Sequence, residues 1–585
     1  MVNNSYTPRH RKISPADYSG SKNSTQNGSL PEPGKKKSLA RASALMASGT
    51  LVSRILGMIR SPILLVLVVG LNSPIANAFD IANKLPNVLF NVIAGGLINA
   101  VLVPAIVHAS EQSEELGNKF INKLLTMFFA VMIPLTLLLT LAAPAIVKLV
   151  AGPLDNNWYQ ITVFFAYWCI PQIFFYGLYA ILGQILNARE SFGPYTWVPA
   201  ANNIIAITGL IILIFIFGPA SLSEVRDASI WSGSRGLILA IFTTLGVAGQ
   251  ALLLFIPLRL IGIRFRPDFA WRGVGLGAAG RSSLWVLALT VVGIAAYIVQ
   301  SNSLAGATQR ALNQNLDITT IGGNATYTVS QTIMALPVSV VTVSIITAVF
   351  TRLSKAAGRD DYQEVRRQAL NSAKILLSFG VFASVCLFIF ATPLARFFIP
   401  SGTVTEVESL STTIRIICWA IIPNSISLLY ARVFFAYNDT RKIFIISLPY
   451  IAFLVSGYFI SGTLDPGRVI IGIALSYVLG ETLHALLITG FARQRIHRIG
   501  LRTLLLHLGK LATISFVLLL LFLPIVFTLE KSLSQSSGVI AFAALAIGGT
   551  FALITFYIGA KLWKLDGVDE VSTRLQKIQK RLIRR

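Results

Sequence analysis

Long apolar runs separated by short polar stretches dominate the chain from residue 39 to residue 562. Each run holds about 20 residues or more, the length of helix that crosses the hydrocarbon core of a bilayer. This pattern predicts an all-α polytopic membrane protein with 14 transmembrane helices. The predicted spans are 39–69, 76–106, 122–150, 158–186, 197–218, 237–261, 282–301, 328–351, 373–396, 411–436, 443–461, 468–491, 505–529 and 538–562.

The loops between these spans alternate in charge. Lys and Arg are concentrated in the loops 259–281, 352–374 and 493–510. Loops on the opposite side that contain neither residue are 70–76, 151–157 and 399–410. Because basic loops stay on the cytoplasmic side, we expect both termini in the cytoplasm. An even number of spans also places both termini on the same side of the membrane.

Composition agrees with a chain whose main solvent is lipid. Charged residues make up 12% of the sequence and hydrophobic residues 54%, with a mean hydropathy of +0.70, whereas soluble domains carry about 25% charged residues. The net charge of +25 comes from Lys and Arg in short loops, where they set topology and face anionic lipid. We therefore expect a multi-pass protein of the bacterial plasma membrane that contacts membrane lipids and binds no nucleic acid.

Segments of the chain resemble one another in a way that suggests an internal repeat. The stretch "LPNVLFNVIAGGLINAVLVPA" in the second span resembles "LPVSVVTVSIITAVFTRL" in the eighth, with Pro86 matching Pro337. Pro171 and Pro423 also match, 252 positions apart. We interpret the first twelve spans as two parallel six-helix repeats, the frame of many alternating-access transporters. Chance similarity between apolar helices is the alternative.

The repeat and the polar ends divide the chain into five regions. Both tails are polar or basic and contain too few apolar residues to fold alone. The predicted regions are a disordered basic cytoplasmic tail at 1–37, an N-terminal six-helix lobe at 38–265, a C-terminal six-helix lobe at 266–492, transmembrane helices 13 and 14 at 493–562, and a basic cytoplasmic tail at 563–585.

Polar residues follow one face of the second span, at the three- and four-residue spacing of an α-helix. They are Asn77, Asp80, Lys84, Asn87, Asn91 and Asn99. A charge at membrane depth costs roughly 2.5–3.5 kcal/mol and usually faces a cavity or a partner. These six residues are therefore candidate substrate-binding residues on the wall of a polar cavity. A polar seam between packed helices is the alternative.

Two arginines lie inside the first span, "ASGTLVSRILGMIRSPILLVLVVG". On a straight helix Arg54 and Arg60 would point about 120° apart, but Gly57 and Pro62 can bend the helix so that both face one cavity. A guanidinium stays charged when desolvated and binds phosphate through two hydrogen bonds. Both are candidate substrate-binding residues. The alternative is that they extend toward the lipid headgroups.

Glu481 and His484, one helical turn apart in the twelfth span, are candidates for coupling an ion to transport. Hydrogen bonding to a neighbouring helix would explain them equally well. The three cysteines lie within apolar runs and suggest neither a disulfide nor a metal site. "GLGAAG" at 275–280 lacks the preceding strand of a dinucleotide site, and the motifs for ATP hydrolysis, zinc proteases and serine hydrolases are missing. We expect no cofactor, no metal and no enzymatic activity.

Two stretches carry a family likeness. "SGTLVSRILGMIR" followed by "NAFDIANKLPNVLFNVIAGGLINAVLVPAI" resembles the start of the MurJ (MviN) family of lipid II flippases, in the multidrug/oligosaccharidyl-lipid/polysaccharide exporter superfamily. The likeness covers roughly residues 39–562. It implies 14 spans in a 6+6+2 arrangement and transport of an undecaprenyl-diphosphate-linked peptidoglycan precursor to the outer leaflet. By resemblance, Arg54, Arg60 and Lys84 match cavity residues, and the last two helices form a groove for the lipid tail.

This chain departs from the family pattern at several cavity positions. The family commonly has charged residues where this chain has Ser61, Asn77, Phe90–Asn91, Gly95 and Thr332. Asp80 is an additional charge, and the "ANKLPN…GG" version looks more like actinobacterial members. The resemblance implies a flippase for lipid II that acts by alternating access in cell-wall synthesis. Alternatives are a flippase for another polyprenyl-diphosphate glycan, a MATE-like antiporter, and a non-transporting scaffold that recruits cell-wall synthesis proteins.

Overall fold

The protein forms a bundle of long helices. The structure is a computed structural model that describes residues 46, 48–94, 114–189, 191–219, 221–270, 281–497 and 500–565. Every regular element within those ranges is a helix. The predicted tail 1–37 and most of the predicted tail 563–585 lie outside the described residues.

We number the long helices in chain order. They are α1 (Ser48–Val69), α2 (Pro74–Ala94), α3 (Glu114–Leu141), α4 (Asn156–Ala188), α5 (Phe192–Phe217), α6 (Ser234–Leu260), α7 (Arg281–Asn313), α8 (324–357), α9 (Tyr362–Ile389), α10 (Val404–Ala436), α11 (Thr440–Gly462), α12 (Pro466–Ile496), α13 (Leu501–Thr528) and α14 (Gly538–Leu562).

The polytopic helical fold predicted from the sequence is confirmed. Thirteen helices in the described ranges are long and apolar enough to cross a membrane. α2 coincides with the second predicted span, and its described part ends at Ala94. The total of fourteen spans and the cytoplasmic termini therefore stay predictions.

Prolines interrupt three of the helices. α1 contains a π-helical turn at Ile59–Leu65 around Pro62, and α8 contains one at Val338–Thr342, directly after Pro337. α4 is interrupted at residues 170–171, where the second residue is again a proline. Proline lacks the N–H group that continues the hydrogen-bond ladder, and its ring clashes with the preceding turn. The irregularity expected in α1 is therefore present, and Arg60 lies within it.

The helix boundaries support the six-helix repeat. α10 and α11 start 248 residues after α4 and α5, respectively, and α9 ends 248 residues after α3. Short helices with the same offset, Ala143–Val150 and Ala391–Phe398, follow α3 and α9. Pro171 and Pro423, matched in the sequence at an offset of 252, are thus about one helical turn out of register. We call α1–α6 the first lobe and α7–α12 the second lobe; the boundaries at 265 and 492 stay predictions.

Buried apolar side chains form a large cluster in each lobe. The cluster of the first lobe also includes Ala305 of α7, and that of the second lobe extends into α13 and α14. A smaller cluster joins Leu71 of the first lobe to α8 and α10 of the second. The lobes meet where α2 packs against α7 and α8. This places the polar face of α2 at the boundary between the lobes.

α13 and α14 pack beside the second lobe. α13 contacts α9, and α14 contacts the short helix Ala391–Phe398. The short helix Glu530–Gln535 between them is anchored by an ion pair of 2.6 Å between Arg415 Nη2 and Glu530 Oε1. Large apolar side chains such as Phe516 and Phe551 are exposed on this pair, as expected of helices that face lipid.

Candidate functional site

The polar face of α2 passes from a closed seam to an open surface. We call Asn77, Asp80, Lys84, Asn87 and Asn91 the α2 stripe. Asn77 is 2% exposed, the side chains of Asp80 and Lys84 are 15% and 28% exposed, and Asn87 and Asn91 are exposed. The lobes are therefore in contact at the start of α2 and apart toward its end. Asn99, the sixth residue predicted on this face, lies outside the described residues.

Asn77 joins the two lobes at the closed end of the stripe. Its Nδ2 donates to Thr308 Oγ1 of α7 at 3.1 Å, and its Oδ1 accepts the backbone N–H of Ala325 at the start of α8 at 3.0 Å. Gly323 lies close enough that an added Cβ would be 2.4 Å from the Asn77 amide. In this conformation Asn77 belongs to a polar seam, the alternative that the sequence left open for this face.

Asp80 and Lys84 form an ion pair one turn further along α2. Lys84 Nζ lies 3.3 Å from Asp80 Oδ2, and the same oxygen accepts the hydroxyl of Thr328 of α8 at 2.7 Å. Residues four apart on a helix face the same side, which explains the pairing predicted from the sequence. The pair lies between the seam and the open part of the stripe.

The open end of the stripe presents amides. Asn91 Nδ2 donates to Asn87 Oδ1 at 2.9 Å, and both side chains are exposed. An amide offers donors and an acceptor, so this surface can hydrogen-bond the hydroxyl, amide and carboxylate groups of a polar ligand.

Arg60 lines a separate pocket inside the first lobe. The pocket has a volume of about 310 Å³ and is formed by residues of α1, α2, α4, α5 and α6. Arg60 Nη1 lies 3.4 Å from Asn202 Oδ1, whose Nδ2 donates to Gln250 Oε1 at 2.9 Å. The guanidinium is thus surrounded by amides and retains donors for an anion.

Several of the polar residues that line this pocket were missed by the sequence analysis. They are Asn83, Gln172, Tyr176, Asn202, Asn203 and Thr243. Two adjacent asparagines within the apolar run "WVPAANNIIAI" were a signal that could have revealed the pocket. Asn83 is on α2 but one residue before Lys84, so it faces the first lobe while the α2 stripe faces the second.

The Arg60 pocket does not extend to Arg54, so the expectation that both arginines face one cavity stays a prediction. Arg54 is partly buried on α1 and is not part of the wall of the Arg60 pocket. Asn203, which does line it, donates to the backbone carbonyl of Ser53 at 2.9 Å and ties α5 to α1. Arg60 lies in the π-helical turn, whereas Arg54 lies in the regular α-helix before it.

Glu481 and His484 lie in the second lobe, apart from the α2 stripe. Glu481 is 5% exposed and accepts hydrogen bonds from Tyr450 at 2.7 Å and Asn424 at 3.3 Å. The His484 ring stacks on Tyr450 with centroids 4.7 Å apart, and its Nε2 lies 3.2 Å from the Ser447 hydroxyl. The residues therefore join α10, α11 and α12, and their predicted role in ion coupling is untested by this geometry.

The described residues contain no group of three or more His, Cys, Asp or Glu side chains arranged to hold a metal ion.

Comparison with known proteins places the chain in a family. The sequence model described as "Lipid II flippase MurJ" matches residues 71–547. A probable lipid II flippase MurJ of Rickettsia prowazekii (strain Madrid E) is 23% identical over 414 residues, which cover 69% of this chain and 74% of that protein. The corresponding protein of Rhizobium meliloti (strain 1021) is 25% identical over 468 residues, 77% of this chain and 80% of its own length.

Solved structures of transporters have the same fold. Lipid II flippase MurJ in an inward closed conformation gives a TM-score of 0.65 at 18% identity, over 89% of this chain and 98% of that chain. An inward-facing MATE multidrug transporter of the MOP superfamily gives a TM-score of 0.52 at 16% identity, over 77% and 98% of the two chains. Because the family's sequence model matches most of the sequence, this protein belongs to the lipid II flippase MurJ family.

Proposed function

We propose that this protein carries lipid II from the inner to the outer leaflet of the bacterial plasma membrane by alternating access between its two lobes. The observation that supports this most directly is the α2 stripe, which is closed by the second lobe at Asn77 and open at Asn87 and Asn91. The closed end adjoins the loop 70–73, which lacks Lys and Arg and is predicted to be extracellular. The open end therefore faces the predicted cytoplasmic side, where the substrate is made.

The chemistry of the two lobes suits such a substrate. Lipid II has a diphosphate, a sugar-peptide head too polar to enter hydrocarbon unaided, and a long tail that can stay in lipid. In our proposal Lys84 and Arg60 attract the diphosphate, because cationic donors bind phosphate strongly where water is scarce. The amides of Asn87 and Asn91 bond the sugar-peptide head.

The remaining predicted residues take supporting roles in this proposal. Arg54 helps attract the diphosphate, whereas Asn77 and Asp80 close the seam between the lobes. We propose that α13 and α14 guide the lipid tail, since their apolar faces are exposed beside the second lobe. Glu481 and His484 couple the cycle to a proton or cation.

The experiment that tests the transport proposal measures lipid II in the outer leaflet. Cells depleted of the native protein are supplied with wild-type or variant protein, and outer-leaflet lipid II is read by its cleavage by an externally added degrading enzyme. We expect Lys84→Ala to reduce cleavage by about tenfold, the effect of losing one charged hydrogen bond. The matched control is Lys119→Ala, because the Lys119 side chain is 61% exposed on α3. Undiminished cleavage after depletion, with no protein supplied, would reject the proposal.

A further inference from the structure

A buried carboxylate of the second lobe holds the first lobe by its backbone. Glu406, in the first turn of α10, is 6% exposed. Its Oε1 accepts the N–H groups of Leu71 at 2.8 Å and Asn72 at 3.0 Å, both in the loop between α1 and α2. Its Oε2 accepts the N–H and the hydroxyl of Thr403 at 2.9 and 3.3 Å. One side chain therefore joins the two lobes on the predicted outer side.

Two helix starts favour a negative charge at this position. Glu406 and Thr403 form a capping box at the start of α10. Leu71 and Asn72 directly precede α2, whose first turn is capped by the Ser73 hydroxyl accepting the Ala76 N–H at 3.0 Å. Unpaired N–H groups give helix starts a partial positive charge, so both stabilise a carboxylate between them.

The surrounding chain is shaped to hold this contact. Gly70 has a φ of +72°, in the left-handed region that favours glycine, and this turns the chain from α1 toward Glu406. Arg396 Nη1 donates to the carbonyl of Gly402 at 2.7 Å and thereby fixes the loop before Thr403. The contact thus lies between two well-defined backbone segments.

Apolar packing and further hydrogen bonds lie around the carboxylate. Leu71 is 1% exposed and belongs to an apolar cluster that includes Val407 and Leu410 of α10. The Asn72 Nδ2 donates to the carbonyl of Thr319 at 2.6 Å. Separating the lobes on this side requires withdrawing Leu71 and breaking both hydrogen bonds to Glu406 Oε1.

We propose that Glu406 is a positioning residue of the transport cycle, whose carboxylate latches the loop 70–73 to the second lobe and sets the population of the outward-open state. This inference rests on the alternating access proposed above. Glu406 touches no substrate in this role. It acts by determining how often the seam at Asn77 and Thr308 opens to the outside.

Cysteine accessibility tests the latch without reference to the substrate. Thr308→Cys places a thiol at the outer seam, where Thr308 is 3% exposed, and Asn91→Cys places one at the open end of the α2 stripe. Each reporter is introduced into a protein whose native cysteines, Cys169, Cys386 and Cys418, are replaced by alanine. A membrane-impermeant maleimide is added to cells for the first reporter and to inside-out vesicles for the second.

With Glu406→Gln we expect about a tenfold rise in outside labelling of Thr308→Cys, since the variant loses hydrogen bonds to a charged group. Inside labelling of Asn91→Cys falls in parallel. The matched control is Glu408→Gln, an exposed carboxylate two residues along the same helix, which leaves both reporters unchanged. Unchanged labelling of both reporters with Glu406→Gln, or a rise at both, would overturn the latch.

If Glu406→Gln accumulates poorly in the membrane, a second variant of the same residue tests the latch. Glu406→Asp keeps the charge but shortens its reach by one methylene, and we expect a smaller change at both reporters in the same directions. The same labels separate this inference from the transport proposal. If Glu406→Gln changes the labelling of the two cysteines but the protein delivers no lipid II to the outer leaflet, the flippase proposal is rejected and the latch is kept. If the protein transports lipid II but Glu406→Gln leaves the labelling unchanged, the latch is rejected and the flippase proposal is kept.

Discussion

The hydroxyl of Thr328 on α8 donates a 2.7 Å hydrogen bond to Asp80 on α2, and the accepting oxygen also lies 3.3 Å from Lys84 Nζ. One carboxylate oxygen thus serves both the contact between lobes and the charge of the α2 stripe. When the lobes separate, Asp80 loses the Thr328 hydroxyl and is left with Lys84 alone. Opening of the seam and the electrostatics of the stripe are therefore linked through Asp80.

The first prediction concerns this cross-lobe bond. Thr328→Val keeps the side-chain shape but removes the donor, so the closed seam loses about 1.5 kcal/mol, or roughly tenfold in population. Outside labelling of Thr308→Cys should rise accordingly. Thr332→Val is the matched control, because the exposed Thr332 hydroxyl bonds only the carbonyl of Thr328 within α8 among the contacts described. Equal labelling of the two valine variants would contradict a gating role for Thr328.

The second prediction concerns the arginine pocket of the first lobe. Arg60→Ala removes the cation from a pocket whose other polar groups are mainly amides, and we expect a fall of about tenfold or more in externally cleavable lipid II. Arg60→Lys retains the charge but not the two-pronged geometry, so partial activity is expected.

Folding must be separated from binding in this comparison. Melting temperatures of the two Arg60 variants in detergent should stay close to that of the wild-type protein, because the side-chain hydrogen bond that Arg60 makes within the described part of the chain is long, at 3.4 Å. Asn202→Ala leaves the charge in place and should have a smaller effect than Arg60→Ala. If Arg60→Ala supports full transport, the pocket is structural.

The sequence predicted the helical fold, the polar face of α2 and the Asp80–Lys84 pair, because each depends on local spacing along one helix. The adjacent asparagines were a local signal for the Arg60 pocket, but its assembly depends on tertiary packing. Asn202 reaches Arg60 through the packing of α5 against α1, and Gln250 reaches Asn202 through the packing of α6 against α5. The expectation that Arg54 and Arg60 face one cavity depended on a bend whose π-helical form the sequence does not reveal. Glu406 falls within the loop predicted at 399–410, whereas in the structure it lies in the first turn of α10, where its contacts with Leu71 and Asn72 depend on tertiary packing.

The third prediction is a pH-dependent stability difference at Asp439, between α10 and α11. Asp439 Oδ2 lies 2.6 Å from Arg495 and 3.4 Å from Lys442. Burial alone raises the pKa of this carboxyl, but these two cations outweigh burial and hold the pKa below its ordinary value of 3.8. A depressed pKa means that the charged form stabilises the fold above the ordinary value and that this stabilisation is lost as pH falls through the lowered pKa.

At neutral pH, Asp439→Asn should therefore lower the free energy of unfolding by up to about 1 kcal/mol, since the pair is partly exposed. The difference should shrink as pH falls below 3.8 and through the lowered pKa of Asp439. Thermal unfolding in detergent at several pH values measures it, with Asp465→Asn, an exposed residue before α12, as control. A difference that is independent of pH would assign the effect to packing.

The fourth prediction addresses Glu481, for which a structural role and an ion-coupling role both fit the hydrogen bonds from Tyr450 and Asn424. A buried carboxylate is costly unless it is fully compensated, and within a membrane such groups often exchange a proton or bind a cation. Glu481→Gln preserves the size of the side chain and its ability to accept a hydrogen bond. We expect this variant to fold and to transport lipid II at a rate that no longer varies with pH or with the coupling cation.

Variants of His484 and of the exposed Glu408 distinguish the ion-coupling role of Glu481 from a structural role. His484→Gln should retain most of the pH dependence if Glu481 carries the ion, whereas Glu408→Gln should behave as the wild-type protein does. The measurement is outer-leaflet lipid II as a function of external and internal pH and of added Na⁺. If Glu481→Gln keeps the wild-type dependence, Glu481 serves only to join α10, α11 and α12, and the driving force must enter through another group. If Glu481→Gln abolishes the dependence of transport on pH and cation while labelling of Thr308→Cys still responds to Glu406→Gln, the ion site at Glu481 and the latch at Glu406 act independently within the second lobe.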